Sequence, residues 1–559
     1  MQDIMYRLPH SASVTTPLTL HPFAGTNVWR LIQLRAATHP DRPAIIWHPP
    51  AGTVTTLSYG DLERHAAAVA AGMAGRGVRA GDRILIHLDN CPELLFTWFA
   101  CAAIGAVAVT VNPGSTVEEL RYFIGHSAPV AAVTQPRGAG VLAAAAPKLR
   151  WTAVTDHDGG VQAADGALPS PSDSFQALLG DPNDLVPVAP DPLAPMNVQY
   201  TSGTTARPKG VVWTHANALW AARVNALHHG LRADDCHLVY QPLFHANALG
   251  GATLPSLWVG GRIVLTPKWS TSRFWDISLR HRCTWLLLMG LSARALEGLE
   301  VPAGHSYRRF GFGFSDAPWD RRLGVRTVGG WGMTETVAHA IVGDPYLPNR
   351  PLAIGRPAPE YQVAVVDEEG RPVGPEETGH LLVRGIPGLS LFAGYLDDES
   401  ATAASFDEDG WFRTEDLVRP HTDGHVSFVD RAKDMLRIGA QNVAASEIER
   451  VLLQDGGVVE AAVVGRADEK LDEVAVAFVR AAGHEPGLAE RLVARCRTAL
   501  SDFKVPREVY VVDELPRSTM NKINKMALRA VAAPDADRTL AAAGWLAAAA
   551  AADLSGDAR

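Results

Sequence analysis

Residues with the types and spacing for phosphate chemistry gather at Tyr200-Thr201-Ser202-Gly203-Thr204-Thr205-Ala206-Arg207-Pro208-Lys209-Gly210, directly after an apolar, strand-like run. Such a loop offers unpaired backbone N–H groups, the hydroxyls of Thr201, Ser202, Thr204 and Thr205, and the Lys209 ammonium to one polyphosphate. It is not a Walker A loop, because G-x-x-x-x-G-K-[ST] requires glycine where Pro208 stands. A solvated surface loop is the commoner fate of this composition. The lysine tilts the balance, since only eight of the 51 basic residues are lysine, at positions 148, 209, 268, 433, 470, 504, 522 and 525.

Four further stretches carry chemistry. Trp331-Gly332-Met333-Thr334-Glu335-Thr336 sets a flat aromatic wall, a hydroxyl and a hard carboxylate side by side. In Gly410-Trp411-Phe412-Arg413-Thr414-Glu415-Asp416-Leu417, Asp416 has two oxygens with which to accept from paired hydroxyls. Asp430-Arg431-Ala432-Lys433-Asp434 is a polar connector, and Leu515-Pro516-Arg517-Ser518-Thr519-Met520-Asn521-Lys522-Ile523 carries a compact cation on a flexible stem near the C-terminal end. The chain has no H-E-x-x-H and no G-x-S-x-G, which argues against a zinc hydrolase or a serine hydrolase.

The elements that must position these residues follow from length and pattern. At roughly 150 residues per domain, 559 residues make three or four folding units, or one large domain with satellites. Hydrophobic residues at 47% and charged residues at 20% describe an ordinary globular chain. A net charge of −9 excludes a broadly basic grip on nucleic acid, so any bound anion is held by local chemistry. Five scattered cysteines with no C-x-x-C pair argue against a disulfide scaffold or thiolate zinc site and fit a reducing cytoplasm. No targeting segment and no apolar run of about 18 residues is expected. Ile84–Leu88 reads as a buried strand, Glu93–Ile104 as a helix and Ala106–Val111 as the next strand, a βαβ rhythm with a largely parallel sheet. Positions 138–195 read as a surface excursion, those after Pro351 as a small β region, and the last hundred or so as an α+β unit with an Ala-rich tail.

In order along the chain, from about Thr26 to Arg529, the five motifs resemble those of the adenylate-forming superfamily: acyl-CoA synthetases, peptide-synthetase adenylation domains and beetle luciferases. The resemblance implies an α/β fold: a large N-terminal domain of α/β subdomains with a small β subdomain, spanning residues 1–430 with the β part at 350–430. A hinge at 431–434, a smaller mobile α+β catalytic domain at 435–530 and a tail at 531–559 follow. It implies ATP, Mg²⁺ and CoA as partners of a carboxylic acid, joined through an acyl-adenylate to a CoA thioester, in a monomer or homodimer.

Carried residue by residue, the resemblance gives nucleotide contacts to Thr201, Ser202, Gly203, Thr204, Thr205, Lys209, Trp331, Thr334, Asp416, Arg431 and Lys522, and the Mg²⁺ contact to Glu335. Lys522, Thr334 and His245 take catalytic roles, with Lys522 the principal cation and His245 a gate. Lys433 marks the hinge, Gly439, Ala440 and Gln441 approach CoA, and His245, Asn247, Gly330 and Trp331 line the acyl pocket, with Trp220, Leu249 and Gly313 nearby. Ala206, His380, Glu415, Asn521 and the short 311–316 stretch depart from the family pattern. An inward Glu415 at about 4 Å from the nucleotide weakens its binding by roughly 1 to 4 kcal/mol. Alternatives therefore stay open: a ligase that only thioesterifies a preformed acyl-adenylate, a carrier-protein loader, and a non-catalytic relative. The acid reads as bulky and mostly hydrocarbon.

Overall fold

The computed structural model describes residues 21–532, apart from 147, 163–171, 202–207, 439–440, 469–470, 484, 501 and 519–521. The expected α/β class is observed. Arg83–His87 and Val107–Thr110 are parallel strands joined by the helix Pro92–Ile104. Proline opens that helix, where its missing N–H is harmless, and Gly105 closes it at φ +71°, a conformation glycine adopts without steric penalty. Every residue of the helix except Glu93 is buried, which is why its sequence shows so little amphipathic pattern.

The two strands lie inside an eight-stranded sheet ordered Gly394–Tyr395, Lys209–Thr214, Pro195–Thr201, Val107–Thr110, Arg83–His87, Ala131–Thr134, Thr152–Val154 and Ser172–Ser174. A nine-stranded sheet has Arg309–Phe312, Trp285–Leu287, Cys236–Val239, Arg262–Leu265 and Pro43–Trp47 as consecutive parallel strands, with Arg326–Trp331 parallel beyond Arg309–Phe312. The 138–195 stretch is less of a loop than its composition suggests. Pro136–Ala145 is a helix, and Thr152–Val154 and Ser172–Ser174 extend the eight-stranded sheet in parallel. Alanine is the best helix former even without an apolar stripe, and three-residue strands are too short to show a period.

A four-stranded sheet is ordered Gln362–Val366, Gly379–Arg384, Phe412–Pro420 and Val426–Arg431. The chain divides into two compact units. The larger comprises the described residues up to Ala364 with Leu382–Arg413 and Asp423–Val426, and the smaller comprises Val365–Leu381, Thr414–Thr422 and the described residues from Ser427 on.

Within the smaller unit, the antiparallel strands Val458–Asp468 and Asp472–Ala481 alternate between two cores beyond the register shift at Val458–Glu460. Ala461, Val463, Ala475 and Ala477 pack with the helices Ala445–Leu452 and Leu488–Ala499, while Ala462, Val464, Val476 and Phe478 pack with Leu528 and Ala532 of the helix Lys525–Ala532. That last helix ends at Ala532, two residues into the expected tail at 531–559; positions 533–559 lie outside the described residues.

The core of the larger unit holds several histidines in the neutral form. Burial pushes His87 and His215 down to about 4 and His237 to about 3. A histidine depressed in the folded state stabilises the fold above its unfolded pKa of about 6.5 and loses that contribution as pH falls towards the folded value. Each should therefore subtract about 1.4 kcal/mol per pH unit below pH 6.5. Denaturant titrations at pH 7, 6 and 5 should show the larger unit weakening steeply while histidine-to-glutamine variants at these positions flatten the slope.

Candidate functional site

In the larger unit, Pro195–Thr201 and Lys209–Thr214 pair antiparallel with Thr201 opposite Lys209, so the two ends of the Thr/Ser/Gly loop are held together. Ser202, Gly203, Thr204, Thr205 and Ala206 lie outside the described residues. Both ends of the loop are buttressed. The Tyr122 hydroxyl donates to the Pro208 carbonyl at 2.6 Å, and His126 Nδ1 lies 2.9 Å from the Tyr200 hydroxyl. Tyr122 and His126, one helical turn apart on Val117–Ser127, stack with rings 8° from parallel.

Lys209 Nζ sits 4.6 Å from the centre of the Tyr395 ring, within cation–π range. The hydroxyl of the same tyrosine donates to Glu335 Oε1 at 3.1 Å, and both Tyr395 and Glu335 are buried, at 5% and 4% exposure. One aromatic side chain thus joins the ammonium and the carboxylate that the sequence placed in separate motifs. Main-chain contacts fix the carboxylate's base: the Phe392 amide donates to the Glu335 carbonyl at 2.9 Å, and Trp213 Nε1 donates to the Thr334 carbonyl at 2.8 Å. Immediately after, Val337 takes φ +65° and ψ −53°, with the Ala338 amide donating to the Thr336 carbonyl at 2.6 Å. This is a γ-turn of the strained, positive-φ hand on a β-branched residue, the kind of backbone that persists only where its surroundings dictate it. The Tyr361 hydroxyl holds the Thr336 carbonyl at 2.7 Å.

Trp331 ends the strand Arg326–Trp331 and is buried at 7% exposure. A side chain on Gly330 would meet the His339 ring at 3.2 Å, so the glycine leaves room for that imidazole, which desolvation keeps neutral at about 4. His245 packs against Phe244 with ring centres 4.4 Å apart and sits just before Asn247–Thr253, a π-helical turn of a kind frequent at functional sites. Asn247 is exposed, and its Nδ2 lies 3.9 Å from Met289 Sδ. Among the described residues no cluster of three His, Cys, Asp or Glu side chains stands ready for a metal ion. The buried Glu335 carboxylate fits Mg²⁺ arriving with a nucleotide, because that ion takes one or two carboxylates beside phosphates and water.

In the smaller unit, Asp416 is buried and Arg431 Nε lies 3.6 Å from its Oδ1. Thr414 anchors the same strand, its hydroxyl donating to the Leu381 carbonyl at 2.7 Å and accepting from the Asp416 amide at 3.2 Å. Glu415, between them, is exposed and has φ +61°. The left-handed backbone accounts for a glycine preference here, and the residue's exposure argues against the low-dielectric setting in which an added charge repels most strongly. Lys433 lies on the one-turn helix Ala432–Asp434, Gln441 begins the strand Gln441–Ala444, and Lys522 is exposed with its carbonyl accepting from the Ser518 amide at 2.7 Å. Gly439, Ala440 and Asn521 lie outside the described residues. Tyr122, His126 and Tyr395 escaped the sequence reading; their one signal is an aromatic or imidazole side chain on elements flanking the lysine loop.

The AMP-binding enzyme family profile matches residues 32–396, and that of the AMP-binding enzyme C-terminal domain matches 447–522. Crotonobetaine/carnitine–CoA ligase of Salmonella typhimurium strain LT2 is 31% identical over 521 residues, covering 90% of this chain and 99% of the relative. The protein of the same name from Escherichia coli strain ATCC 8739 is 32% identical over 510 residues, covering 88% and 97%. ATP-bound MatB from Rhodopseudomonas palustris superposes with a TM-score of 0.77 at 26% identity, and O-succinylbenzoate CoA synthetase from Bacillus subtilis, with its acyl-adenylate intermediate OSB-AMP, with 0.75 at 26%; each pair covers 90% of this chain and 98% of the other. The chain belongs to the AMP-binding enzyme family. No helix among its described residues is long and apolar enough to cross a membrane.

Two outcomes follow from this geometry. Tyr395→Phe removes one hydrogen bond to a charged group, worth about 1.5 to 3 kcal/mol, and keeps the ring. It should raise the Kd for a magnesium complex of a non-hydrolysable ATP analogue roughly tenfold or more by calorimetry, with Tyr395→Leu weaker still. Glu415→Gly relieves left-handed strain of about 1 to 2 kcal/mol against the glycine entropy penalty of roughly 0.5 to 1, so a net stabilisation in a urea titration is the expected result.

Proposed function

We propose that this protein is an AMP-forming acyl-CoA ligase acting on a bulky, mostly hydrocarbon carboxylic acid. In the first step a carboxylate oxygen attacks the α-phosphorus of ATP in line; the acyl–phosphate bond forms as the bond to the β-phosphate oxygen breaks, and pyrophosphate leaves. In the second, the CoA thiol gives up its proton and attacks the acyl carbonyl, forming the thioester and expelling AMP.

The observation that carries this reading is the joining of Lys209 and Glu335 through Tyr395. Bringing a carboxylate up to a triphosphate sets anion against anion, so the site needs positive charge beside the phosphates and a carboxylate for the cation that accompanies them. Lys209 and the loop from Thr201 to Thr205 serve the phosphates, Thr334 the α-phosphate, and Glu335 the Mg²⁺, which supplies charge neutralisation when bound. Asp416 accepts from the ribose hydroxyls, with Arg431 oriented beside it. Lys522 spans the substrate carboxylate and the α-phosphate in the first step. The smaller unit, turning about Lys433, then presents Gly439, Ala440 and Gln441 to CoA, with His245 gating the passage and Asn247, Gly330 and Trp331 lining the acyl pocket.

An exposed Glu415 beside a buried Asp416 supports the adenylating reading over a ligase confined to the second step. CoA, rather than a carrier protein, is supported by relatives named as CoA ligases and matched over nearly their full length. Five buried cysteines, none in a disulfide, suit a reducing cytoplasm.

The test is a panel of aliphatic, aromatic and betaine-type acids with ATP and CoA, followed by mass detection of thioester and by pyrophosphate release. For the best acid, Lys522→Ala should cut pyrophosphate release by about 10²- to 10³-fold, the usual loss of one charge-stabilising donor. Thioester formation from the synthetic acyl-adenylate should stay within a few-fold of the parent enzyme. Turnover of acyl-adenylates with no pyrophosphate release from any acid would overturn the first step.

A further inference from the structure

Two lysines with no part in the proposed chemistry, Lys504 and Lys525, both pair with the helix Ala445–Leu452. Lys504 Nζ lies 2.8 Å from Glu447, and Lys525 Nζ lies 2.8 Å from Glu449 Oε1 with both partners only 17% exposed. Glu449 Oε1 also accepts from the Val463 amide at 2.8 Å. Burial pushes the Glu449 carboxyl up, and Lys525 opposes that rise.

Lys525 is the first residue of the last helix and stands three positions after Lys522. The segment carrying Lys522 is closed at its base by an antiparallel bridge between Arg517 and Ile523, with the Ser518 amide donating to the Lys522 carbonyl and the Asn524 amide to the Pro516 carbonyl, each at 2.7 Å. Arg517 is itself held by Glu460, at 2.5 Å. From the other direction, the Ser446 amide donates to Asp430 Oδ2 at 3.0 Å and its hydroxyl to the Val429 carbonyl at 2.6 Å, fixing the start of the glutamate-bearing helix to the residues before Arg431. The last helix reaches the same region through Arg529, 2.9 Å from Asp434. All of these groups belong to the smaller unit.

We propose that Lys525 is a positioning residue: its ion pair with Glu449, with Arg529 on Asp434, makes the Lys522 segment and the Ala432–Asp434 turn one rigid body. This rests on the role given to Lys522 above. A lysine side chain is long and rotamer-rich, so its ammonium is useful only if the backbone beneath it is fixed. A buried ion pair is a poor stabiliser, whereas it specifies geometry between two elements that apolar contacts alone would let slide. The pair's value is therefore read in positioning more than in folding.

Removing Lys525 alone would strand a buried carboxylate, so the informative variant is Lys525→Met with Glu449→Gln, which removes both charges and keeps an amide oxygen to accept from the Val463 amide. With the best acid of the panel, that double variant should fold with an unchanged denaturation midpoint and lose at least tenfold in kcat for pyrophosphate release at unchanged KM for ATP. Its thioester formation from the synthetic acyl-adenylate should match the parent. Lys525→Arg should recover most of the first-step rate. Without any substrate, amide hydrogen exchange at Ser518 and Asn524 should quicken about tenfold in the double variant. Unchanged exchange with an unchanged first step, or both half-reactions falling together, would overturn the proposal. If Lys522→Ala leaves pyrophosphate release intact, the underlying role of Lys522 fails instead; if Lys522→Ala is crippled and the double variant is not, only the positioning role fails.

Discussion

The contact on which the larger unit converges is Tyr395, with the Lys209 ammonium on its ring and the Glu335 carboxylate on its hydroxyl. Its position is set by main-chain pairing. Gly394–Tyr395 forms the edge of the eight-stranded sheet against Lys209–Thr214, with Tyr395 opposite Val211, two residues from Lys209 and on the same face of the strand. The preceding segment is pinned as firmly. Thr214 donates to the Gly388 carbonyl, and Asn217 donates to the carbonyls of Leu389 and Leu391, all from the capping turn of the helix His215–His228. The cap that starts one helix therefore also seats the strand that carries the tyrosine.

Electrostatics explains why so much structure serves so few charges. The chain is acidic overall, and its bulk surface cation is arginine. Holding a triphosphate on such a protein depends on placed positive charge, since the long-range field favours cations. In the larger unit that placement is aromatic: a desolvated ring holds Lys209 without neutralising it, as a carboxylate partner would. In the smaller unit it is ionic, and Lys504, Lys525 and Arg529 are matched one to one with Glu447, Glu449 and Asp434 around the turn that contains Lys433. Lys522, between Arg517 and Lys525, is carried by this framework as the exposed member of the set.

The five motifs were legible because each is local: a loop that cradles phosphate, or an acid beside a hydroxyl, needs particular residue types within about ten positions, and spacing survives in the chain as written. The βαβ rhythm was legible for the same reason, as Arg83–His87, Pro92–Ile104 and Val107–Thr110 show. Tyr395 was not legible, since it meets Glu335 across 60 positions, and neither was Lys525, which meets Glu449 across the body of the smaller unit. Glu415 shows a subtler limit. The residue was visible as an intrusion, but that it stands exposed on a left-handed backbone came only from the tertiary structure.

Length, charge and motif order by themselves determined that this is a large α/β protein with the motifs of an AMP-binding enzyme, because those properties are sums over the chain or patterns within a few residues of it. Which aromatic ring carries Lys209, which hydroxyl reaches Glu335, why Val337 accepts a strained turn and what ties Lys522 to the turn at Lys433 were decided only by the tertiary structure. Each of these depends on side chains far apart in sequence meeting within a few ångströms, and such a meeting is set by how the sheets pair and the helices pack.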